Sequence, residues 1–98
     1  MREFIAALPA ADRDTVIAAI GAAARLWPRV DGKRIKKVEQ GLWEIRTHIA
    51  NGIARVLFMS HGGRPVLLHG LVKKTPRLPE RDKATARARR ADVLSYGE

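Results

Sequence analysis

Arg46, His48 and Arg55 stand in a stretch where apolar and polar residues alternate, and Lys73-Lys74 lies at the end of the next such stretch. These side chains can hold a phosphodiester, neutralise charge that develops on it and move a proton. Where the phosphodiester is RNA, the adjoining 2′-hydroxyl is already the nucleophile. A protein then has only to position it, stabilise the pentavalent phosphate and manage two protons. That chemistry requires neither a metal nor a cofactor. Signatures of other chemistries are missing from the sequence: no glycine-rich phosphate loop, no histidine and carboxylate spacing for a metal, and no nucleophile with its base. With no cysteine, thiolate metal sites and disulfides are excluded.

Charge points the same way. Nineteen Lys and Arg stand against ten Asp and Glu, a net of +9 with a pI near 11.1. Such an excess attracts nucleic acid or an acidic protein, although a merely solubilising surface has the same composition. Two runs concentrate it. The first, Pro28 to Lys37, holds five basic residues and one acid, and reads as a loop or poorly ordered arm offering Lys33, Arg34, Lys36 and Lys37 to phosphate. The second, Lys73 to Arg90, has eight basic residues and two acids, with Arg77, Arg81, Arg87, Arg89 and Arg90 as further contacts. Aromatics at 5% are too few for binding mainly by base stacking.

The elements that must position these groups follow from periodicity. Ninety-eight residues form one domain, 1–98, with a single core. Between Met1 and Trp27 the apolar residues Phe4, Ile5, Leu8, Val16, Ile17, Ile20, Ala24 and Trp27 are spaced for a buried helical face. Pro9 splits the stretch into two helices, the second capped or favoured electrostatically by Asp12 or Asp14. After Gly41 the period becomes two: Leu42 to Ile49, Ile53 to Ser60 and Arg64 to Val72 read as strands. Turns at Asn51-Gly52 and Gly62-Gly63 join them. Pro79 opens a basic C-terminal helix. The expected fold is α+β, with two N-terminal helices packed on a three-stranded antiparallel meander and a basic helix at the end. Open sheet edges offer a place for a partner chain. Met1 to Phe4 has no signal-peptide pattern and no apolar run suits a membrane span, so a cytoplasmic protein with no membrane partner is expected.

If Asn51-Gly52 is the two-residue turn, His48 faces Arg55 and Arg46 faces Leu57. Arg46, His48 and Arg55 then share one sheet face with Glu44, while Trp43, Ile45, Ile49, Val56 and Phe58 fill the other, toward the helices. The crowded cations call for Glu44 as counter-ion or for a bound anion. With Gly62-Gly63 as the next turn, Leu57 faces Leu68 and Arg55 faces Gly70. Lys74 joins the arginine face, and His69 and Lys73 take the other; a slip of one residue would exchange them.

Gly41 to Arg46, Ala54 to Phe58 and Leu67 to Thr75, followed by Pro79, resemble the phage-derived HigB-like branch of the RelE/ParE toxin superfamily, and the resemblance extends over about Arg2 to Leu94. It implies a RelE-like fold and a toxin that cleaves messenger RNA, typically on the ribosome, and is neutralised by a cognate helix-turn-helix antitoxin. It also implies roles: Arg55 in stabilising the transition-state phosphate, Arg46 and Lys74 in holding the scissile region, Lys73 or His48 in proton transfer or RNA binding. This chain departs from the family pattern in placing Leu78 before Pro79 and Asp82 at the following acidic position, and in opening directly in a helix. Two alternatives keep the fold: inhibition of a protein target such as DNA gyrase, as ParE-like relatives do, and RNA binding without catalysis.

Overall fold

The first helix stops at Ala6, and Pro9 stands at the start of the second. The computed structural model describes residues 1–75 and 77–96. The elements are α1 (Arg2–Ala6), α2 (Ala10–Leu26), β1 (Ile35–Glu39), β2 (Leu42–Ile49), β3 (Gly52–His61), β4 (Arg64–Lys73) and α3 (Glu80–Tyr96). The four strands form one antiparallel sheet in the order β1-β2-β3-β4, an α+β arrangement with three helices. Neither Asp12 nor Asp14 caps α2 with a side-chain hydrogen bond; Pro9 occupies the N-cap position. Asp12 is buried in the first turn, and its carboxylate accepts a hydrogen bond from the Ala50 N–H at 3.2 Å, tying the helix to the tip of the β2–β3 hairpin.

β1 corrects the expectation of three strands and of a loose arm across Pro28 to Lys37. The Asp31 carboxylate accepts hydrogen bonds from the backbone N–H groups of Lys33, Arg34 and Ile35 at 2.8, 2.8 and 3.1 Å, folding the arm into a turn that feeds the strand. These bonds, from Ile35 and Lys33 foremost, hold the Asp31 carboxyl below the usual range. Ile35 then inserts fully into the core opposite Ile45, while Lys36 and Lys37 stay exposed on an edge strand, where lysine discourages further pairing.

Both hairpin registers also differ from expectation. Ile49 pairs with Gly52, leaving Ala50-Asn51 as the turn, so Arg46 faces Arg55 and His48 faces Ile53. Gly52 is needed one step inside the strand: a Cβ there would stand 2.9 Å from the Lys73 carbonyl oxygen, and its φ is +153°. The shift moves the pairing by two residues and preserves the faces. In the second hairpin Gly62 and Gly63, with φ of +60° and +76°, form the expected turn, and the expected register runs as far as Phe58 opposite Leu67. A β-bulge at Leu68 then shifts it by one, so Leu57 faces His69 and Arg55 faces Leu71. His69 and Lys73 therefore lie on the arginine face, and Lys74 lies just past the strand end.

Helices cover both faces of the sheet. Leu8, Val16 and Ala23 from the N-terminal segment pack on Ile35, Ile45, Ala54, Val56 and Phe58. Trp27 meets Trp43 and Phe58 edge-on at 5.1 and 5.0 Å and donates its Nε1–H to Ser60 Oγ at 3.3 Å. Against expectation, α3 lies on the opposite, arginine-bearing face, with Ala86 and Val93 over Leu42, Leu57, Met59, Leu68 and Leu71. Polar contacts supplement this small apolar seam. Arg87 donates to both Glu39 oxygens and to Glu80, at distances from 2.6 to 3.2 Å. Arg89 donates to the Leu68 carbonyl at 2.8 Å and Arg90 to that of Gln40 at 3.2 Å, and His69 Nε2 lies 2.7 Å from Asp82 Oδ1.

Two predictions arise here. The Phe4 ring lies directly on Gly70, where an added Cβ would come within 2.3 Å of ring carbon. Gly70→Ala is expected to lower stability by about 1–3 kcal/mol through overpacking, measured by urea unfolding, with much of the loss relieved when Phe4→Leu is combined with it. The second concerns pH. Hydrogen bonds from Arg87 hold the Glu39 and Glu80 carboxyls below their ordinary 4.5. A lowered folded-state pKa stabilises the fold above the ordinary value, and that stabilisation is lost as pH falls through the folded value. Acidification from pH 5 to pH 3 should therefore cost the wild type more stability than Arg87→Ala, as read from urea midpoints. Glu80 is exposed and Glu39 partly so, and the difference should therefore be small and shrink with salt.

Candidate functional site

Alternation along β2 and β3 builds cross-strand rows on the arginine face: Glu44–Leu57–His69, then Arg46–Arg55–Leu71, then His48–Ile53–Lys73. α3 and the segment leading into it cover the first part of this surface. At the far end, toward the β2–β3 turn, a cavity of about 410 Å³ is lined by Gly32, Lys33, Arg34, Arg46, His48 and Ile53. Four of its six lining residues are cationic or able to become so, and none is acidic. Lys33 and Arg34 reach it because Asp31 folds the arm back beside β2, and the Arg46 N–H donates to the Arg34 carbonyl at 2.8 Å. His48 is exposed and Arg46 half-buried.

Behind Arg46 the charges are internal. Arg55 is 0% exposed and Glu44 only 5%. Glu44 lies 3.6 Å from Arg46 Nε through one oxygen and 4.0 Å from Arg55 Nε through the other, the counter-ion the crowded cations called for. One Arg55 nitrogen donates to the Thr75 carbonyl at 3.2 Å. Among the described residues, Arg55 Nε and Nη1 and Glu44 Oε2 have no hydrogen-bond partner. Burial pushes the Glu44 carboxyl up, with Arg55 and Arg46 pulling it back, and burial pushes the Arg55 guanidinium down against the pull of Glu44. Arg55 thus touches the site through Glu44 and Arg46 and is closed to a ligand in this conformation.

The remaining candidates fall into separate groups. Lys73 is half-buried at the edge of the His48 row and Lys74 is exposed beyond it; neither lines the cavity. Lys36 and Lys37 border a second cavity of about 200 Å³ with Lys83, Val38, Leu78 and Glu44. Arg77 and Arg81 are exposed, whereas Arg87, Arg89 and Arg90 fasten α3 to the sheet. Sequence reasoning missed Asp31, which shapes the cavity wall, and did not place Lys83 of the basic C-terminal run beside the same cavity as Lys36. The signal for Asp31 was its place before a glycine and a run of free N–H groups, the setting of an Asx turn.

Among the described residues no group of three or more histidines and carboxylates could hold a metal ion, and no helix is long and apolar enough to cross a membrane. A family model described as phage-derived protein Gp49-like (DUF891) matches residues 3–91. No curated protein matches the chain.

Proposed function

The chain belongs to the Gp49-like family of phage-derived proteins, and from that premise we propose that it is the toxin of a type II toxin-antitoxin pair, an endoribonuclease acting on messenger RNA in the cytoplasm. The observation that carries this reading is the convergence of Lys33, Arg34, Arg46 and His48 on one cavity without an acidic lining residue. The likeness of the strand motifs to HigB-like members of the RelE/ParE superfamily supports it, as does the net charge of +9.

In this mechanism the scissile phosphate sits in the cavity. The 2′-hydroxyl oxygen attacks the adjacent phosphorus while its proton passes to a base. The bond from phosphorus to the 5′-oxygen breaks, that oxygen takes up a proton, and the products are a 2′,3′-cyclic phosphate and a 5′-hydroxyl. His48, exposed at the cavity, transfers a proton. Arg46 neutralises the charge growing on the phosphate oxygens, and Lys33 and Arg34 hold the flanking backbone. Arg55 and Glu44 position Arg46 from beneath. Lys73 and Lys74 engage the strand farther along, the ribosome presents the message, and a helix-turn-helix antitoxin silences the site.

Primer extension on cellular transcripts after brief expression tests the proposal. Discrete new 5′ ends within coding regions are expected. Intact transcripts alongside arrested DNA replication would point instead to inhibition of a protein target.

A further inference from the structure

Charge is arranged by depth in the cavity of about 200 Å³ between β1, β2 and the approach to α3. Lys36, Lys37 and Lys83 line it, the first two exposed and the third half-buried. Glu44, opposite Lys36 in the β1–β2 ladder, is its one acidic lining residue and only 5% exposed. The lysines therefore form the mouth and the carboxylate the floor. Val38 and Leu78 are the apolar walls, and both also pack on the core beneath α3. The two cations paired with Glu44 stand at 3.6 and 4.0 Å, beyond hydrogen-bond reach, and its Oε2 has no partner among the described residues. A buried carboxylate short of donors thus borders a cavity with a cationic mouth.

That gradient selects the ligand. A bare phosphate at the floor would meet Glu44, and a cation at the mouth would meet three lysines. Both ends are satisfied by a neutral ring edge rich in N–H donors pointing inward and an anion left outside. Among the four RNA bases guanine alone presents two adjacent N–H donors, at N1 and N2, and Glu44, flanked by Arg46 and Arg55, is an acceptor. The cavity is smaller than the roughly 300–1,000 Å³ of pockets that enclose drug-sized ligands, which suits one ring system with its sugar and phosphate outside.

We propose that this cavity binds guanine nucleotides. The N1–H and N2–H groups donate to Glu44, the ring lies between Val38 and Leu78, and the phosphate meets Lys36 and Lys83. A guanosine within an RNA strand and a free nucleotide carry the same edge and the same kind of charge. In a strand, Arg46 stands one same-face step along β2, about 7 Å on, so the backbone leads toward the basic cavity. Guanine binding itself does not rest on the cleavage reading.

The full chain is titrated with two matched sets of probes. One is 5′-GMP, 5′-IMP and 5′-AMP; the other is a short oligouridine strand carrying guanosine, inosine or adenosine at its centre. Inosine keeps N1–H and lacks the N2 amino group at unchanged charge. The guanine probe is expected to bind about tenfold or more tightly than its inosine counterpart, the scale of one hydrogen bond to a charged group. Preference confined to the strands identifies RNA as the source, and preference among the mononucleotides identifies free nucleotide. Lys36→Ala should weaken every probe alike, whereas Glu44→Gln should bring the guanine and inosine probes together. Equal binding of guanine and inosine in both sets by the wild type would overturn the pocket. So would a ratio untouched by Glu44→Gln in a chain with a normal circular dichroism spectrum. Guanine-selective binding by a chain that cuts no message would retain the pocket and refute the cleavage reading, and cleavage by a chain indifferent to guanine would do the reverse.

Discussion

Arg55→Ala is expected to destabilise the fold by about 3–5 kcal/mol, the scale for removing one partner of a buried ion pair. Arg55 is completely enclosed. Its loss would leave Glu44, only 5% exposed, facing a void with the partly exposed Arg46 as its one remaining counter-ion among the described residues. The Thr75 carbonyl would lose its donor as well. For a domain whose whole stability is of the order of 5–15 kcal/mol, that is a large fraction. Urea unfolding measures it. Because Arg55 Nε and Nη1 and Glu44 Oε2 are poorly satisfied in the folded chain, Arg55→Met combined with Glu44→Gln should be far less damaging than Arg55→Ala. A double variant no more stable than Arg55→Ala would show that the charges support the fold in another way. A loss of activity in Arg55→Ala would accordingly report on folding as well as on phosphate chemistry.

The second large effect falls chiefly on activity. Arg46→Ala combined with His48→Ala should cost less stability than Arg55→Ala, since His48 is exposed, Arg46 is only half-buried and Glu44 keeps Arg55 beside it, yet reduce RNA cleavage about 10³-fold or more. The companion measurement is Arg77→Ala with Arg81→Ala. Both positions are exposed and away from the cavity, so this pair should weaken RNA binding modestly and lower its salt dependence without a comparable fall in the rate of bound substrate. Equal losses in the two double variants would mean that the basic surface acts diffusely and that the cavity has no special part.

Much of this was legible in the sequence because strand alternation is insensitive to the errors made. The face shared by Glu44, Arg46, His48 and Arg55 survived a two-residue shift in pairing, which moves partners and keeps faces. A bulge breaks that protection. Leu67 and Leu68 are both apolar and pack on opposite faces, so nothing in their types marks where the ladder slips, and His69 and Lys73 changed sides as a result. β1 was hidden for a compositional reason: Ile35 and Val38 are its apolar residues, set among lysines, and the turn that starts it depends on one carboxylate gathering three N–H groups. The placement of α3 was hidden because its anchoring lies in arginine contacts to backbone and carboxylates, a use of charge that composition cannot distinguish from a nucleic-acid-binding helix. At the site, Arg46 and His48 followed from periodicity, whereas Lys33 and Arg34 became neighbours only through Asp31.

The most direct test of the central claim is the chemistry of the cut ends. The purified chain, with ribosomes and message, is incubated in the presence and absence of a chelator that removes free transition metals but leaves the magnesium ribosomes need, and the termini of the cleaved RNA are identified. Attack by the 2′-hydroxyl at a cavity lined by Lys33, Arg34, Arg46 and His48, with no carboxylate to hold a hard cation, predicts 2′,3′-cyclic phosphate and 5′-hydroxyl ends at an unchanged rate with chelator. Termini carrying a 5′-phosphate and a free 3′-hydroxyl would contradict it.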